Sequence, residues 1–347
     1  MKVMQGNASG EARRNTAARK ATGRRPAAPR ALVGGTALLL TASFGGPSRA
    51  DEDGVSFWLP GTFGSLAAVP GQPGWSIAGI FYHTSVNAGR DEAISRGGNV
   101  RLGLDSDATL LLLSPSYTLK RPVLGGQAAF SLMGIYGNNS TSVDATLTGP
   151  GGNQISGSES DSLTSYGDLY PQASLKWNSG VNNAMVYITG DIPIGDYDPD
   201  RLANIGIGHG AVDTGYGYTY LNTKTGHEFS AVLGFTYNFE NPDTDYKNGI
   251  DAHLDFGISQ FLSANLQVGA VGYLYQQVTG DSGSGDRVGS FESRVAGVGP
   301  QFGYLFPAGR MQGYLNLKGY YEFDAANRPD GWNIWLTLSF SPPTPSG

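Results

Sequence analysis

The sequence predicts an all-β fold: a transmembrane antiparallel up-and-down β-barrel of about twelve strands (twelve to fourteen), with an irregular N-terminal segment inside the lumen as a plug. Three observations predict it. A basic and then apolar leader marks the chain for export. Segments of about ten or more residues alternate apolar and polar side chains with period two. The connections between these segments alternate short and long, as turns and loops do in outer-membrane barrels.

The leader comes first. Residues 1–30 carry Lys2, Arg13, Arg14, Arg19, Lys20, Arg24, Arg25 and Arg30, followed by the short apolar run ALVGGTALLLTASFG from Ala31 to Gly45. Ser48 and Ala50 then supply small residues at the −3 and −1 positions of a cut before Asp51. That order is a secretory signal peptide over residues 1–50. The apolar run is shorter than the roughly 20 residues a spanning helix needs. Removing 1–50 takes nine of the 23 basic and one of the 29 acidic residues, so the mature chain carries a formal charge of −14. An acidic chain lacks the basic footprint of a nucleic-acid partner. A large exported chain with Cys 0 points to a bacterial envelope rather than a disulfide-built secreted fold.

Residues 51–74 come next. FWLPGTFGSLAAVPGQPGW, from Phe57 to Trp75, is apolar but holds three prolines and four glycines before its tryptophan. Prolines break a helix and cost a central strand its ladder bonds. The segment is therefore expected to enter the barrel from the periplasmic side and lie in the lumen, where irregular backbone at membrane depth is tolerated. Phe57, Trp58, Leu59 and Phe63 are expected on a solute's route.

Residues 75–341 are read as the barrel, with strands at 75–88, 107–119, 127–138, 163–178, 183–192, 212–222, 226–240, 248–260, 263–278, 288–306, 310–323 and 331–341, followed by a tail over 342–347. In 226–240, Phe229, Ala231, Leu233, Phe235, Tyr237 and Phe239 share one face, and Glu228, Ser230, Thr236 and Asn238 the other. Residues 250–259, 311–323 and 332–340 alternate in the same way. Alternation slips near Gly297 to Pro300, which predicts a bulge or a bend. Short turns are expected at 120–126, 178–182, 222–226 and 307–310, and long outer loops at 89–106, 139–162, 193–211 and 279–287. An even strand count puts both termini in the periplasm.

SFWLPGTFGSLAAVPGQPGWSIAGIFYHTS (Ser56 to Ser85) and YEFDAANRPDGWNIWLTLSFSP (Tyr321 to Pro342) resemble the opening and closing signatures of the MetA-pathway of phenol degradation family. The resemblance spans nearly all of the mature chain. It implies an outer-membrane, transporter-like barrel distantly similar to FadL-like carriers of fatty acids and aromatic hydrocarbons, and it supplies no catalytic residues. Two features depart from the pattern. The last strand runs on into SPPTPSG, and the strand count is below the fourteen of FadL-like barrels.

Parity places Tyr166, Asp168, Tyr170, Lys176, Tyr187, Asp191, Glu228, Asp251, His253, Asp255, Tyr273, Tyr275, Lys318, Tyr320 and Glu322 on the lumen face. Tyrosines there offer an aromatic solute amphipathic surfaces, and charges of both signs can cross-link a narrow interior. Asp251, His253 and Asp255 are expected to project together as an ion-pair and hydrogen-bond ladder. The four histidines have no metal-ligand spacing, so no metal site is expected. GDSGSG, from Gly280 to Gly285, resembles a protease motif without its companions and reads as a hairpin loop, and DYDPD, from Asp196 to Asp200, reads as a solvated acidic loop. No cofactor and no catalytic residue are expected.

The expected function is passive uptake of small hydrophobic, aromatic, phenol-like compounds across a Gram-negative outer membrane. The expected partners are outer-membrane lipid and lipopolysaccharide, the solute, and the barrel-assembly machinery, with no nucleic acid. The rival is a structural or surface-interaction barrel with a filled lumen.

Overall fold

The computed structural model describes residues 56–88, 93–95, 99–148, 154–286 and 292–343. The leader over 1–50, residues 51–55 of the N-terminal segment and residues 344–347 of the tail lie outside these.

Every element among the described residues is a strand: β1 (Gly74–Ala88), β2 (Ala93–Ser95), β3 (Asn99–Thr118), β4 (Gln127–Thr148), β5 (Gln154–Ser179), β6 (Asn182–Asp191), β7 (Ala211–Asn222), β8 (His227–Asn238), β9 (Asp251–Phe261), β10 (Leu266–Gln277), β11 (Arg294–Ala308), β12 (Met311–Ala326) and β13 (Asp330–Ser341). Each of β3 to β13 pairs with its sequence neighbour, and β1 pairs with both β13 and β3. The sheet therefore closes into a twelve-stranded antiparallel barrel, with β2 a short flap on β3. Closure leaves no open edge, which is what backbone in lipid requires.

The alternation sorts inside from outside. On β8, Phe229, Leu233, Phe235 and Tyr237 are exposed, while Glu228, Ser230, Thr236 and Asn238 between them are buried. On β13, Trp332, Ile334, Leu336 and Leu338 point outward and Asn333 and Trp335 inward. An apolar exterior around a polar interior is the reverse of a soluble protein and is the arrangement of a transmembrane barrel. Turns between β3 and β4, β5 and β6, β7 and β8, β9 and β10, and β11 and β12 lie at the end that holds both barrel termini. The first is tight: Val123 and Gly126 exchange both backbone hydrogen bonds at 2.8 Å. Leu124 (φ 48) and Gly125 (φ 74) between them form a left-handed two-residue hairpin turn.

All twelve expected strands are present, with bounds that differ by more than three residues in four places. Residues 139–162, expected as a loop, continue β4 and β5 into a long hairpin paired from Asn139–Leu163 to Thr148–Gln154. β3 starts at Asn99, inside the expected loop 89–106. β11 starts at Arg294, six residues later than expected. Its irregularity lies between Arg294 and Ala296, slightly before the expected Gly297 to Pro300. Tyr166 is the clearest correction, because it is 67% exposed on the outer face. The β4–β5 register shifts between Gly134 and Tyr136, with Gly134 opposite Leu169 and Tyr136 opposite Tyr166. The extra residue on β5 inverts parity beyond the bulge, so Tyr166 turns out while Asp168 stays buried.

Candidate functional site

The segment from Ser56 to Pro73 owes its shape to two turns. Leu59-Pro60-Gly61-Thr62 closes with a Thr62 N–H to Leu59 carbonyl bond of 3.2 Å, with Pro60 second and Gly61 (φ 88) third, the residue order of a type II turn. Val69 N–H returns to the Leu66 carbonyl at 3.0 Å. The turns leave other backbone groups free, and side chains from the inward face of the strands, most of them charged, take up several of these. Asp255 of β9 accepts the N–H groups of Gly61 and Phe63, each at 3.0 Å, one on each carboxylate oxygen. Lys318 of β12 donates to the Gly61 carbonyl at 2.6 Å. Glu228 of β8 accepts the Ser65 hydroxyl at 2.6 Å and the Leu66 N–H at 2.9 Å, holding Leu66 at a φ of 67. Thr219 of β7 accepts the Ala68 N–H at 3.0 Å, and Lys176 of β5 donates to the Ala67 carbonyl at 2.7 Å. Charge-assisted bonds of this kind are the stronger ones.

Aromatic contacts continue the attachment. Trp58 stacks on His253 with ring centroids 3.6 Å apart and planes 14° apart. Phe63 meets the edge of Tyr187 at 5.2 Å and Trp58 at 5.6 Å. Phe57 stacks on Tyr170 at 5.5 Å, and Leu59 packs on the same cluster. Asp251, His253 and Asp255 share the inward face of β9, and each bonds to a partner off its own strand. Asp251 accepts from Asn238 at 2.9 Å, Asp255 turns to the Gly61 turn, and His253 Nε2 donates to Asp213 of β7 at 2.9 Å. Asp213 was not anticipated. His253 and Asp213 sit on different strands, and only the register brings them together.

Tyr273 and Tyr275 of β10 and Tyr320 of β12 belong to the same core, with Glu322 of β12 beside them. Tyr273 donates to Glu322 at 2.6 Å and receives from Asn333 at 3.0 Å. Tyr320 lies 4.8 Å from Tyr273, and its ring is 2.9 Å from where a Cβ on Gly61 would stand. Tyr275 is buried in the same core, with Arg328 over its ring at 5.1 Å. Lys318 Nζ stands 5.1 Å from the Trp335 ring centroid.

The β3–β5 wall differs. Its β3 residues Leu110-Leu111-Leu112-Leu113 are apolar on both faces, with Leu112 buried inward and Leu111 and Leu113 exposed outward. Outside, at the bulge, a cavity of about 560 Å³ is lined by Leu111, Leu113, Leu132, Gly134, Tyr136, Tyr166, Gly167, Leu169 and Ile194. Ile135 lines this cavity and also belongs to the interior core with Phe57. At the outer end a second, polar cavity of about 290 Å³ is lined by Asp168, Pro193, Gly195, Tyr197, Gly208, His209, Gly210, Glu240, Pro242 and Asp243. Asp168 fastens its roof, accepting from Gly195 N–H at 2.6 Å and Ile207 N–H at 2.9 Å. Burial holds the His209 imidazole below its ordinary pKa, and burial in the 278–293 loop raises the Asp281 carboxyl. Among the described residues no group of three or more His, Asp or Glu is placed to hold a metal ion.

The model of the MetA-pathway of phenol degradation family matches residues 89–338. The chain belongs to this family. Among solved structures, the outer-membrane channel from Pseudomonas putida F1 matches this family member at 14% identity and a TM-score of 0.57, covering 78% of this chain and 96% of that one. At that identity the likeness establishes the fold. The CymD monoaromatic hydrocarbon channel matches at 9% identity and a TM-score of 0.39, over 79% of this chain and 89% of that one. A Pseudomonas aeruginosa FadL homologue matches at 10% and 0.36, over 77% and 88%. No curated protein matches the sequence significantly.

Proposed function

We propose that this barrel sits in the outer membrane of a Gram-negative bacterium and admits small hydrophobic, aromatic compounds by passive diffusion. One observation carries the reading: an aromatic segment, Phe57 to Phe63, is seated on lumen tyrosines and histidine in a barrel whose exterior is apolar. Aromatic rings offer such solutes stacking partners, which a pore for sugars or ions does not need. The segment acts as a plug that narrows the lumen, and solutes pass between it and the apolar β3–β5 wall. Membrane lipid, lipopolysaccharide and the barrel-assembly machinery are the partners this role requires. The sequence carries no nucleotide-binding motif, so flow follows the gradient, and the lumen side chains bind and guide without catalysis.

Growth and uptake test this in a deletion strain and its complement, with a panel of aromatic and aliphatic compounds. The complemented strain takes up aromatics faster, and a sugar control is unchanged. Equal aromatic uptake in the two strains overturns the reading. It would then favour the second one, a structural barrel with a filled lumen, which the near-complete burial of Trp58, Tyr187 and Tyr273 favours.

A further inference from the structure

The bulge between β4 and β5 leaves a recess on the lipid-facing side of the barrel, and its cause is local. Outward positions on β4 fall to Leu132, Gly134 and Tyr136, and Gly134 has no side chain to offer there. On β5 the position after the outward Tyr166 is Gly167, which is buried. A Cβ on Gly134 would stand 3.3 Å from Leu169, so the floor is closely packed. Between Leu111 and Leu113 of β3 on one rim and Leu169 and Ile194 on the other lies the cavity of about 560 Å³. No charged side chain lines it.

Its depth points to one leaflet. β5 ends at Ser179, at the periplasmic end of the barrel. Leu132 lies opposite Pro171, eight residues above that end, and Tyr166 lies thirteen residues above it. At about 3.3 Å per residue and a tilt of about 40°, the recess runs from roughly 20 to 33 Å up the wall, through the outer half of an apolar band about 25 Å tall and up to its edge. Tyr136 and Tyr166, with ring centroids 6.1 Å apart, mark that edge, where amphipathic rings sit at headgroup level. Above them stands the polar loop between β6 and β7. Its Asp196 N–H donates to the Tyr166 carbonyl at 2.9 Å, and its Arg201 pairs with Asp196 at 2.5 Å.

We propose that this recess seats one acyl chain of lipid A, the lipid anchor of lipopolysaccharide in the outer leaflet. The apolar exterior is the face that meets lipid, and the recess is continuous with it. Lipid tails gain nothing hydrophobic by leaving other tails, so packing decides where a chain rests. A chain in the recess touches protein on several sides, whereas an empty recess leaves its lining without dispersion partners. The volume is of the order of one long acyl chain. The chain descends from the headgroup past Tyr136 and Tyr166 and lies against Leu111, Leu113 and Leu132. This gives the lipopolysaccharide partnership proposed above a location, and it rests on the outer-membrane setting rather than on what the barrel carries.

Native mass spectrometry tests it, on the barrel purified from outer membranes, exchanged into detergent and incubated with hexa-acyl lipid A or dipalmitoyl phosphatidylethanolamine. The wild type should retain one lipid A and retain it better than the phospholipid. Leu111→Trp and Leu132→Trp fill the recess from two strands, and each should lower the lipid A-bound fraction several-fold. Leu274→Trp puts the same ring on the exposed face of β10, outside the recess, and should leave that fraction unchanged. A heat-modifiable band on a gel checks that each variant is folded. Lipid A retained equally by the wild type and both recess variants overturns the proposal, as does a wild type that retains none or prefers the phospholipid. A dimer that the recess variants abolish also overturns it, because the occupant is then a second copy of the barrel. Solute uptake enters none of these outcomes, so the lipid site and the uptake reading fail separately.

Discussion

The two sides of the lumen are built on opposite principles. From β7 to β12 the inward residues include the polar Thr219, Glu228, Asp255, Gln301 and Lys318. The middle of β3 and β4 carries apolar residues on both faces, with Leu112 and Ile135 inward and Leu111, Leu113 and Leu132 outward. The polar side supplies most of the hydrogen bonds that the irregular N-terminal segment makes, and Lys176 of β5 adds those to the Ala67 and Val69 carbonyls. An irregular backbone in a barrel must take its partners from somewhere. Here most of them come from β7, β8, β9 and β12, while Leu112 and Ile135 of the other wall pack in the same core as Phe57 and Trp58. Under the proposed function, attachment falls mainly to β7 to β12 and passage to the β3 and β4 wall.

The largest expected effect comes from breaking the attachment. Asp255→Leu leaves the Gly61 and Phe63 N–H groups without their acceptor, a loss of about 3 kcal/mol for two bonds to a charged group. In a variant with Trp58 as the sole tryptophan, acrylamide quenching should rise toward that of an exposed indole. Quenching that stays low shows the segment is held by its aromatic contacts alone. Next is the opposite side. Leu112→Asn puts an unpaired amide on the apolar wall and should slow uptake of 1,4-dimethylbenzene several-fold while leaving Trp58 quenching unchanged. If quenching changes with it, the two sides are not independent. The smallest effect sharpens the turn. Gly61→Ala forces a side chain into a φ of 88 and against the Tyr320 ring, at a cost of about 1–2 kcal/mol in urea unfolding. Adding Tyr320→Leu should recover the clash and leave the backbone part.

The same contrast explains what was legible in the sequence. β8 and β13 could be read residue by residue, because one face meets lipid and the other the lumen, and composition follows the pleat. Leu110 to Leu113 breaks that pattern, yet the strand it marks was still found, since flanking residues alternate. The β4–β5 hairpin beyond Asn139 was hidden: QISGSESDS has the composition of a loop, and only backbone pairing, which any side chain permits, makes it a strand. Tyr166 was misplaced because a bulge leaves no mark in composition. In the site, the single residues were accessible through parity, but their partners were not. His253 was expected beside Asp251 and Asp255 on its own strand, and it chose Asp213 across the sheet. Within a strand, parity gives the face, whereas partners are set by register between strands and by a segment that arrives from far away in sequence.

Ser65 and Ser259 offer the most direct measurement. Their hydroxyl oxygens are 3.3 Å apart, one on the N-terminal segment and one on the inward face of β9, and the protein has no cysteine of its own. The pair Ser65→Cys and Ser259→Cys, oxidised in intact outer membranes, should form a disulfide in nearly every folded barrel, and aromatic uptake should persist with the bond in place. Failure of the two cysteines to cross-link, or a cross-link that abolishes uptake, would contradict a segment fixed to the polar side with solute passing along the other.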